Sequence, residues 1–523
     1  MESYALHEHF SFFSGSDETD TGVKTYLESR EALRMDHSDL ERELAAKDKE
    51  LFRQLLQAHL DLRGPGKAVG EVSDQEGTVH QQARPQSREL ETLFGTVIVN
   101  RLGYAAPGTE SLHPKDADLN LPDDRYSMGV RRRVAEEAAR GSFEEAAEQV
   151  ERTTGAHVPK RQAEELAVRS AQDFEDFYRV RRETALVKDP AGKILALSFD
   201  GKGVVMRKED LREATRKAAE ENSHKLQTRL CRGEKRNAKR MATVGAIYTV
   251  APFPRAPEDV IRALAGKDPP GPEPMKRDRP RPEDKRVMAS LERTPEEVIA
   301  ELFADAQHRD PKHSKTWVAL VDGNPTQIRL IAEEARRQQI PITTVVDFIH
   351  ITEYVWKAGT AFFKAGSKEL EAWVQPRLLE ILKGNSWLVA AAMRRSATRR
   401  ELEPEARKQV DTCANYLHKL KPYLHYDAYL EQGFPIATGV IEGACRHLVK
   451  DRMDLTGARW SLTGAEAILR LRALKSSGDF DEYWLFHEAQ EHKRNHAARY
   501  KDGIIPEVVL PNPPGRSRFR LVK

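Results

Sequence analysis

Two short apolar runs each end in an aspartate, and this constrains the fold more than any other feature of the chain. Ile194-Leu195-Ala196-Leu197-Ser198-Phe199 leads into Asp200, and Trp317-Val318-Ala319-Leu320-Val321 leads into Asp322. Short apolar runs bounded by turn residues are strand-like, and apolarity without alternation marks strands covered on both faces. A carboxylate just past the end of such a strand is exposed at the sheet's edge, where ligands gather. A third acid, Glu442, lies in a helical stretch, Thr438 to Arg446, far downstream. Three such carboxylates can hold two divalent cations about 3.5–4 Å apart, the arrangement used for in-line phosphoryl transfer. Mg2+ prefers oxygen ligands and keeps several waters, so a few Asp or Glu side chains suffice. Asp200, Asp322 and Glu442 are therefore the candidate catalytic residues and metal ligands, with Asp200 bridging two Mg2+ ions for which Mn2+ substitutes. Each acid also has an ordinary reading. Asp200-Gly201 and Asp322-Gly323-Asn324-Pro325 are turn sequences, and Glu442 has Arg446 one helical turn on. Their joint placement is the stronger argument.

The surrounding pattern supplies the rest of an α/β core. Residues 194–199 and 203–206 read as a hairpin turning at Asp200-Gly-Lys-Gly. Ala242 to Ala251 reads as a third strand. Residues 265–286 are Pro- and charge-rich and read as a linker or surface insertion. Thr294-Pro-Glu-Glu caps a helix reaching about 308, strand 316–321 delivers Asp322, helix 325–338 follows, and strand 341–346 ends in Asp347-Phe-Ile-His350. This order matches a ribonuclease-H-like mixed sheet. Residues 351–430 are helical throughout, too long and too periodic for a loop, and read as an all-α insertion.

The amino-terminal part is helical. Residues 1–24 look loosely ordered, with Ser14-Gly-Ser-Asp-Glu-Thr-Asp-Thr-Gly22 as a breaker. Leu40, Leu44, Leu51, Leu55 and Leu62 lie on one face of a helix over about 25–62; Lys47 and Asp48 interrupt that seam, which favours packing on its own domain over a coiled coil. Residues 63–90 read as a loop, and Phe94 to Tyr104 as one or two strands. Helices are predicted at about 126–140, 142–154 and 158–177, with Ser142-Phe-Glu-Glu as a capping box and Pro159 at the start of the third. The last two have helix–turn–helix spacing. Lys160, Arg161 and Gln162 fall at the start of the second helix, where base and phosphate contacts are made; the plainer reading is an αα-hairpin.

Charged residues make up 32% of the 523, yet the net charge is only +2. The chain is no polycation, and a nucleic-acid surface has to come from local clustering. Cys231, Cys413 and Cys445 are odd in number and widely spaced, which argues against a disulfide framework or zinc finger. Without an export signal or a run of 18 apolar residues, the expectation is a cytoplasmic protein with no membrane segment.

The motifs carry a resemblance. Ser198-Phe-Asp-Gly-Lys-Gly, Val321-Asp-Gly-Asn, Asp347-Phe-Ile-His, Gly439-Val-Ile-Glu-Gly-Ala-Cys-Arg and the block Leu455 to Arg472 resemble bacterial insertion-sequence transposases of the ISKra type, in the Mutator-like DDE superfamily. The likeness covers about residues 90–500; the first 60 residues and the Pro-rich tail carry little of it. Relatives have a Cys/Asp-x-x-His signature downstream of the second catalytic aspartate. The resemblance thus implies Asp322 as second acid and Asp347 with His350 as the signature pair, although Asp347 also follows a strand and competes for the role. It implies an enzyme that binds the terminal inverted repeats of its element in double-stranded DNA, cleaves and transfers strands, and works as a homodimer or larger assembly. Lys202, Arg446, Lys450, Arg459 and Trp460 are the expected DNA contacts near the acids. Arg446 and Lys450 lie on a basic face shared with His447 and Arg452; for Trp460 the functional reading is stacking on an unpaired or flipped base, and burial is the commoner fate of such a residue.

The expected organisation is a helical region with linker (1–90), a DNA-binding domain (91–185), the catalytic core in two parts (186–350 and 431–485) around the insertion (351–430), and a tail (486–523). The alternative is a metal-dependent nuclease on the same fold that cleaves without joining. A host-adopted protein without catalysis fits less well, because all three acids are present. A carboxylate-pair glycosidase fits less well at 7% aromatic residues.

Overall fold

The run Ile194 to Phe199 does not turn at Asp200. In the computed structural model, which describes residues 12–184, 192–221, 237–266, 279–455 and 457–510, it continues straight through that residue. Strand β1 (Gln82–Thr92) pairs antiparallel with β2 (Gly95–Ala105). Five further strands, β3 (Ile194–Val205), β4 (Lys239–Val250), β5 (Glu283–Ser290), β6 (Thr316–Val321) and β7 (Ile342–Val346), form a mixed sheet in the order β5-β4-β3-β6-β7. β4 is antiparallel to both neighbours, while β3, β6 and β7 run parallel. The chain is mixed α/β. By contacts it divides into two units, Met1–Phe177 with Phe480–Lys523, and Tyr178–Asp479.

In the second unit, β3 is buried from Ile194 to Phe199, as its continuous apolarity predicts. The predicted hairpin at Asp200 is absent because Gly201 and Gly203 keep ordinary extended backbone and pair with Thr243 and Met241. Their missing side chains serve packing across the strands. A Cβ on Gly203 would come within 3.0 Å of Lys239 Cδ, and one on Gly201 within 3.3 Å of Met241 Cε. The antiparallel neighbour of β3 is instead β4, the run read as the third strand.

The linker read over 265–286 is corrected at its end. Residues 267–278 lie outside the described residues, but Glu283–Ser290 is the edge strand β5. Its charged opening, Glu283-Asp-Lys-Arg, masks a buried half, Arg286 to Ser290. Helix Pro295–Arg309 carries the expected capping box at Thr294 and packs Val298, Leu302 and Phe303 into the sheet's core. Helix Pro325–Arg337 adds Ile328 and Ile331. The helical segment expected over 351–430 is helical, as Phe348–Gly359, Lys368–Leu382, Ser386–Arg399, Pro404–Lys419 and Tyr426–Glu431. Val355, Val374, Met393, Val410 and Leu417 share one apolar core with Leu197 and Leu320. Those helices are therefore built onto the sheet.

In the first unit, the stretch read as a breaker is helix Ser14–Leu27. Its small polar residues bond back to the helix, as Thr21 to the Asp17 carbonyl (2.8 Å) and Thr25 to the Thr21 carbonyl (2.9 Å). Helix His37–Leu62 packs against it and against β2, which favours the single-domain reading of its leucines. The loop read over 63–90 ends in β1, whose exposed first half has no alternation to reveal it. Helices Met128–Ala138, Phe143–Thr153 and Lys160–Ser170 enclose Val130, Val134, Val150, Val158 and Leu166, and the capping box at Ser142 is present. The predicted 158–177 helix is two, the second being Phe174–Thr184. The expected tail from 486 begins inside helix Phe480–Asn495, with Tyr483, Trp484 and His487 buried. The chain then pairs Tyr500 with Asp74 and Val508 with Ala68. Cys231 and residues 511–523 lie outside the described residues.

Candidate active site

Parallel pairing brings the strand-end aspartates level. β3 and β6 pair from Ile194 opposite Thr316 to Ser198 opposite Leu320; two residues further, that register sets Asp200 opposite Asp322. β6 and β7 pair up to Val321 opposite Val346, which sets Asp347 opposite Asp322 in turn. Asp200 and Asp322 are half-buried; Asp347 is fully buried.

The three aspartates are held differently. Asp322 Oδ1 accepts from the Asn324 amide at 2.9 Å, and the Asp322 carbonyl accepts from the Tyr416 hydroxyl at 2.6 Å. Gly323 makes this approach possible: its φ is +90°, and a Cβ there would lie 2.6 Å from the Tyr416 hydroxyl and 2.7 Å from Leu420 Cδ1. Gly323→Ala is expected to lose about 1–3 kcal/mol in urea denaturation through strain at positive φ; an unchanged midpoint would show that Tyr416 is not seated there. Asp347 caps helix Phe348–Gly359, with Oδ1 accepting from Ile349 N at 2.7 Å. Its Oδ2 accepts from the Thr438 hydroxyl, with the Thr438 amide at 3.4 Å.

Thr438 joins this buried aspartate to Glu442, since its Oγ1 also lies 3.4 Å from Glu442 Oε1. One hydroxyl proton serves one carboxylate at a time, so the pair competes for it. Glu442 is itself exposed; partial desolvation, reinforced by the charges of Asp347 and Asp200 and opposed by Thr438 and His350, raises its pKa above the usual carboxylate range. Asp200 Oδ1 accepts from Gly201 N at 2.6 Å, and Oδ2 accepts from the Cys445 thiol at 3.1 Å. Burial, then Asp200, pushes that thiol up, so it stays protonated and acts as a donor. Lys202 opposes this shift from two residues beyond Asp200 on β3.

Glu442 sits in helix Gly439–Ala444, which continues into a π-helical turn, Cys445–Lys450. Such widened turns recur at functional sites. Arg472 secures this one by donating to the carbonyls of His447 (2.9 Å) and Leu448 (3.0 Å). Asp200, Asp347, Glu442, His350, Thr438 and Cys445 thus form one interacting group, with Asp322 on the adjoining strand end.

The expected DNA contacts divide by exposure. Arg446, Lys450 and Arg459 are exposed, with Arg446 3.6 Å from Asp451. Arg452 is not part of that face: it is 3% exposed and lies over the Trp460 ring. Trp460 is itself buried, its Nε1 donating to the Met453 carbonyl at 3.2 Å and its backbone N to Val205 at 3.1 Å. The ring has no free face for a base. Trp460→Ala is expected to lower fold stability by about 3–5 kcal/mol, measured by urea denaturation; an unchanged stability with weakened DNA binding would restore the stacking role. In the first unit, Lys160 and Arg161 are exposed at a helix start and pair with Glu144 (2.9 Å) and Glu165 (3.1 Å), and Gln162 donates to Glu165 at 3.1 Å.

Among the described residues, the one set of three His, Cys, Asp or Glu side chains with ligand atoms all within 4.8 Å is Asp173, His487 and Glu491. The acids on the sheet are not gathered that tightly. The compact set is already neutralised: Arg494 binds Asp173 (3.0 Å) and Glu491 (2.7 Å), and Arg131 binds Glu491 (2.8 Å). Two guanidiniums on two carboxylates leave a cation little to gain there. No family model matches the chain, and no curated protein matches it.

Proposed function

We propose that the chain is a DDE transposase with a ribonuclease-H-like core, built from β3 to β7 and their helices and interrupted by the helical segment 351–430. It would bind the ends of its own element, cleave there, and join the 3′-ends to target DNA. The observation that carries this reading is the meeting of Asp200 and Asp322, level on parallel strands, with a glutamate brought beside Asp200 and Asp347 from a helix far downstream.

The donor set fits Mg2+. Asp200, Asp322 and Glu442 offer only carboxylate oxygens, and the neighbouring thiol is protonated. Asp347, engaged through both oxygens, suits a positioning role better than a ligand's. When bound, two such ions would activate a water or 3′-hydroxyl and stabilise the departing oxygen. The protein's own groups would do the rest. Cys445 and Gly201 fix the Asp200 carboxylate, and Thr438 ties Glu442 to the buried Asp347. Lys202, Arg446, Lys450 and Arg459 would bear on backbone phosphates. Lys160, Arg161 and Gln162 would read the element's ends from the second helix of their pair. Two ends call for a homodimer or larger assembly, acting in the cytoplasm. No described helix is long and apolar enough to cross a membrane.

The test uses the full chain, labelled duplexes of the element's own ends, and a supercoiled target plasmid, with Mg2+ or with chelator. Mg2+-dependent cleavage followed by joining supports the proposal. Cleavage without joining supports the nuclease alternative. End duplexes that bind yet are neither cut nor joined overturn both.

A further inference from the structure

Of the acids gathered at the sheet, Asp322 is held in a different way from the rest. Cys445 donates to Asp200, and Thr438 lies between Asp347 and Glu442. Among the described residues no side chain bonds the Asp322 carboxylate, whose Oδ1 accepts from the Asn324 amide in its own turn. The direction of this acid is therefore set by its backbone. Tyr416, from helix Pro404–Lys419, grips that backbone: its hydroxyl donates to the Asp322 carbonyl at 2.6 Å. Gly323, at φ +90°, leaves the room for the hydroxyl to come in.

A tyrosine suits this task because its ring is rigid and only two torsions place the hydroxyl. Tyr354 fixes the plane of that ring: the two rings stack with centroids 3.9 Å apart and planes 8° from parallel. Tyr354 belongs to helix Phe348–Gly359, which Asp347 caps, and stands one turn beyond His350, whose charge acts on Glu442. Two helices thus converge on the end of one strand. A comparable bond, one strand over, serves as the contrast. There the buried Tyr426 donates to the Val346 carbonyl at 2.7 Å. The residue that follows, Asp347, is already held through its own side chain by Ile349 N and Thr438.

We propose that Tyr416 is a positioning residue for the second metal-binding acid, and that Tyr354 positions Tyr416. The hydroxyl holds the Asp322 carbonyl, the carbonyl fixes the turn, and the turn aims the carboxylate towards Asp200, level with it on β3. The helical segment 351–430 then shapes the cation site directly, through one oxygen, besides covering the sheet. This inference rests on the reading of Asp322 as a metal ligand. Tyr426 makes the same kind of bond and has no such role, because Asp347 does not depend on its backbone for direction.

The experiment is titration of the full chain with Mn2+ near pH 7, with free Mn2+ read by electron paramagnetic resonance and fold stability by urea denaturation. Wild type is expected to bind Mn2+ saturably, and Asp200→Ala and Asp322→Ala to lose that binding. Tyr416→Phe, which removes one oxygen, should weaken it about ten-fold, the usual scale for a residue that orients a metal ligand. Tyr426→Phe should lower the urea midpoint as much as Tyr416→Phe does and leave Mn2+ binding unchanged. Tyr354→Ala should weaken binding in the wild-type background and add little to Tyr416→Phe, since both act through one hydroxyl. Unchanged Mn2+ binding in Tyr416→Phe, or an equal loss in Tyr426→Phe, overturns the proposal and leaves the carboxylate site standing. Fully additive effects of Tyr354→Ala and Tyr416→Phe overturn the part given to Tyr354. Absence of any Mn2+ binding that needs Asp200 and Asp322 overturns the metal-site reading, and this inference with it.

Discussion

Glu442→Gln is expected to abolish DNA cleavage, by about a thousand-fold or more, while leaving the fold as stable as before or slightly more so. A thousand-fold corresponds to about 4 kcal/mol of barrier. The sign of the stability effect follows from the carboxylate's surroundings. Partial desolvation of this exposed side chain and the charges of Asp347 and Asp200 raise its pKa in the folded chain, and its exposure keeps the effect small. Ionised Glu442 is thus disfavoured by folding: the penalty is absent below the ordinary carboxylate range and grows as pH rises through the raised value. A neutral glutamine removes the penalty at neutral pH. Asp200→Ala and Asp322→Ala should lose cleavage similarly. The neighbouring aspartate behaves differently. Asp347→Ala should cost about 2–4 kcal/mol in urea denaturation, because it deprives a helix of its cap and leaves the buried Thr438 hydroxyl only the more distant Glu442 oxygen. Asp347→Asn keeps the cap's shape and decides the role. If it stays folded and cuts, Asp322 is the second acid; if it stays folded and is dead while Asp322→Ala cuts, the assignment reverses.

The difference between these two aspartates was hidden in the sequence, where both simply follow an apolar run. What separates them is the partner each meets, and Thr438 lies 91 residues from Asp347. The legible part was local. Apolar continuity marked β3 and β6, the capping boxes at Ser142 and Thr294 marked helix starts, and the segment 351–430 declared itself helical. The misreadings came where tertiary context overrides local chemistry. Asp200-Gly-Lys-Gly looks like a turn, yet antiparallel pairing to β4 keeps it straight. Glu283-Asp-Lys-Arg looks like a linker, yet it opens an edge strand whose Arg286 is buried. For Trp460 the commoner fate, burial, is the one observed, but its partner Arg452 is set by packing no local pattern encodes.

Asp305→Ala should destabilise the second unit by about 3–5 kcal/mol, the usual result of removing one partner from a buried ion pair. Arg286, only 3% exposed, enters the sheet's edge from β5 and lies 3.5 Å from the centre of the Tyr178 ring. It is bound by Asp305 and, at 3.2 Å, by Glu301; Arg182 binds Asp305 from the other side at 2.9 Å. Burial by itself would push the Asp305 carboxyl up, but Arg286, then Arg309 and Arg182, outweigh it and hold the group below the ordinary range. Stability from this group is therefore fully present above the unfolded carboxylate value of about 3.9 and is lost as pH falls through the lower folded value. Chemical denaturation at neutral pH and near pH 3 should show wild type approaching the variant on acidification. Replacing both partners, as Arg286→Met with Asp305→Leu, should cost less than Asp305→Ala alone, because no uncompensated guanidinium is left buried. If the single substitution proves neutral at pH 7, water already reaches Arg286, and the edge of the sheet is held by Val287, Met288 and Ala289 without help from the charges.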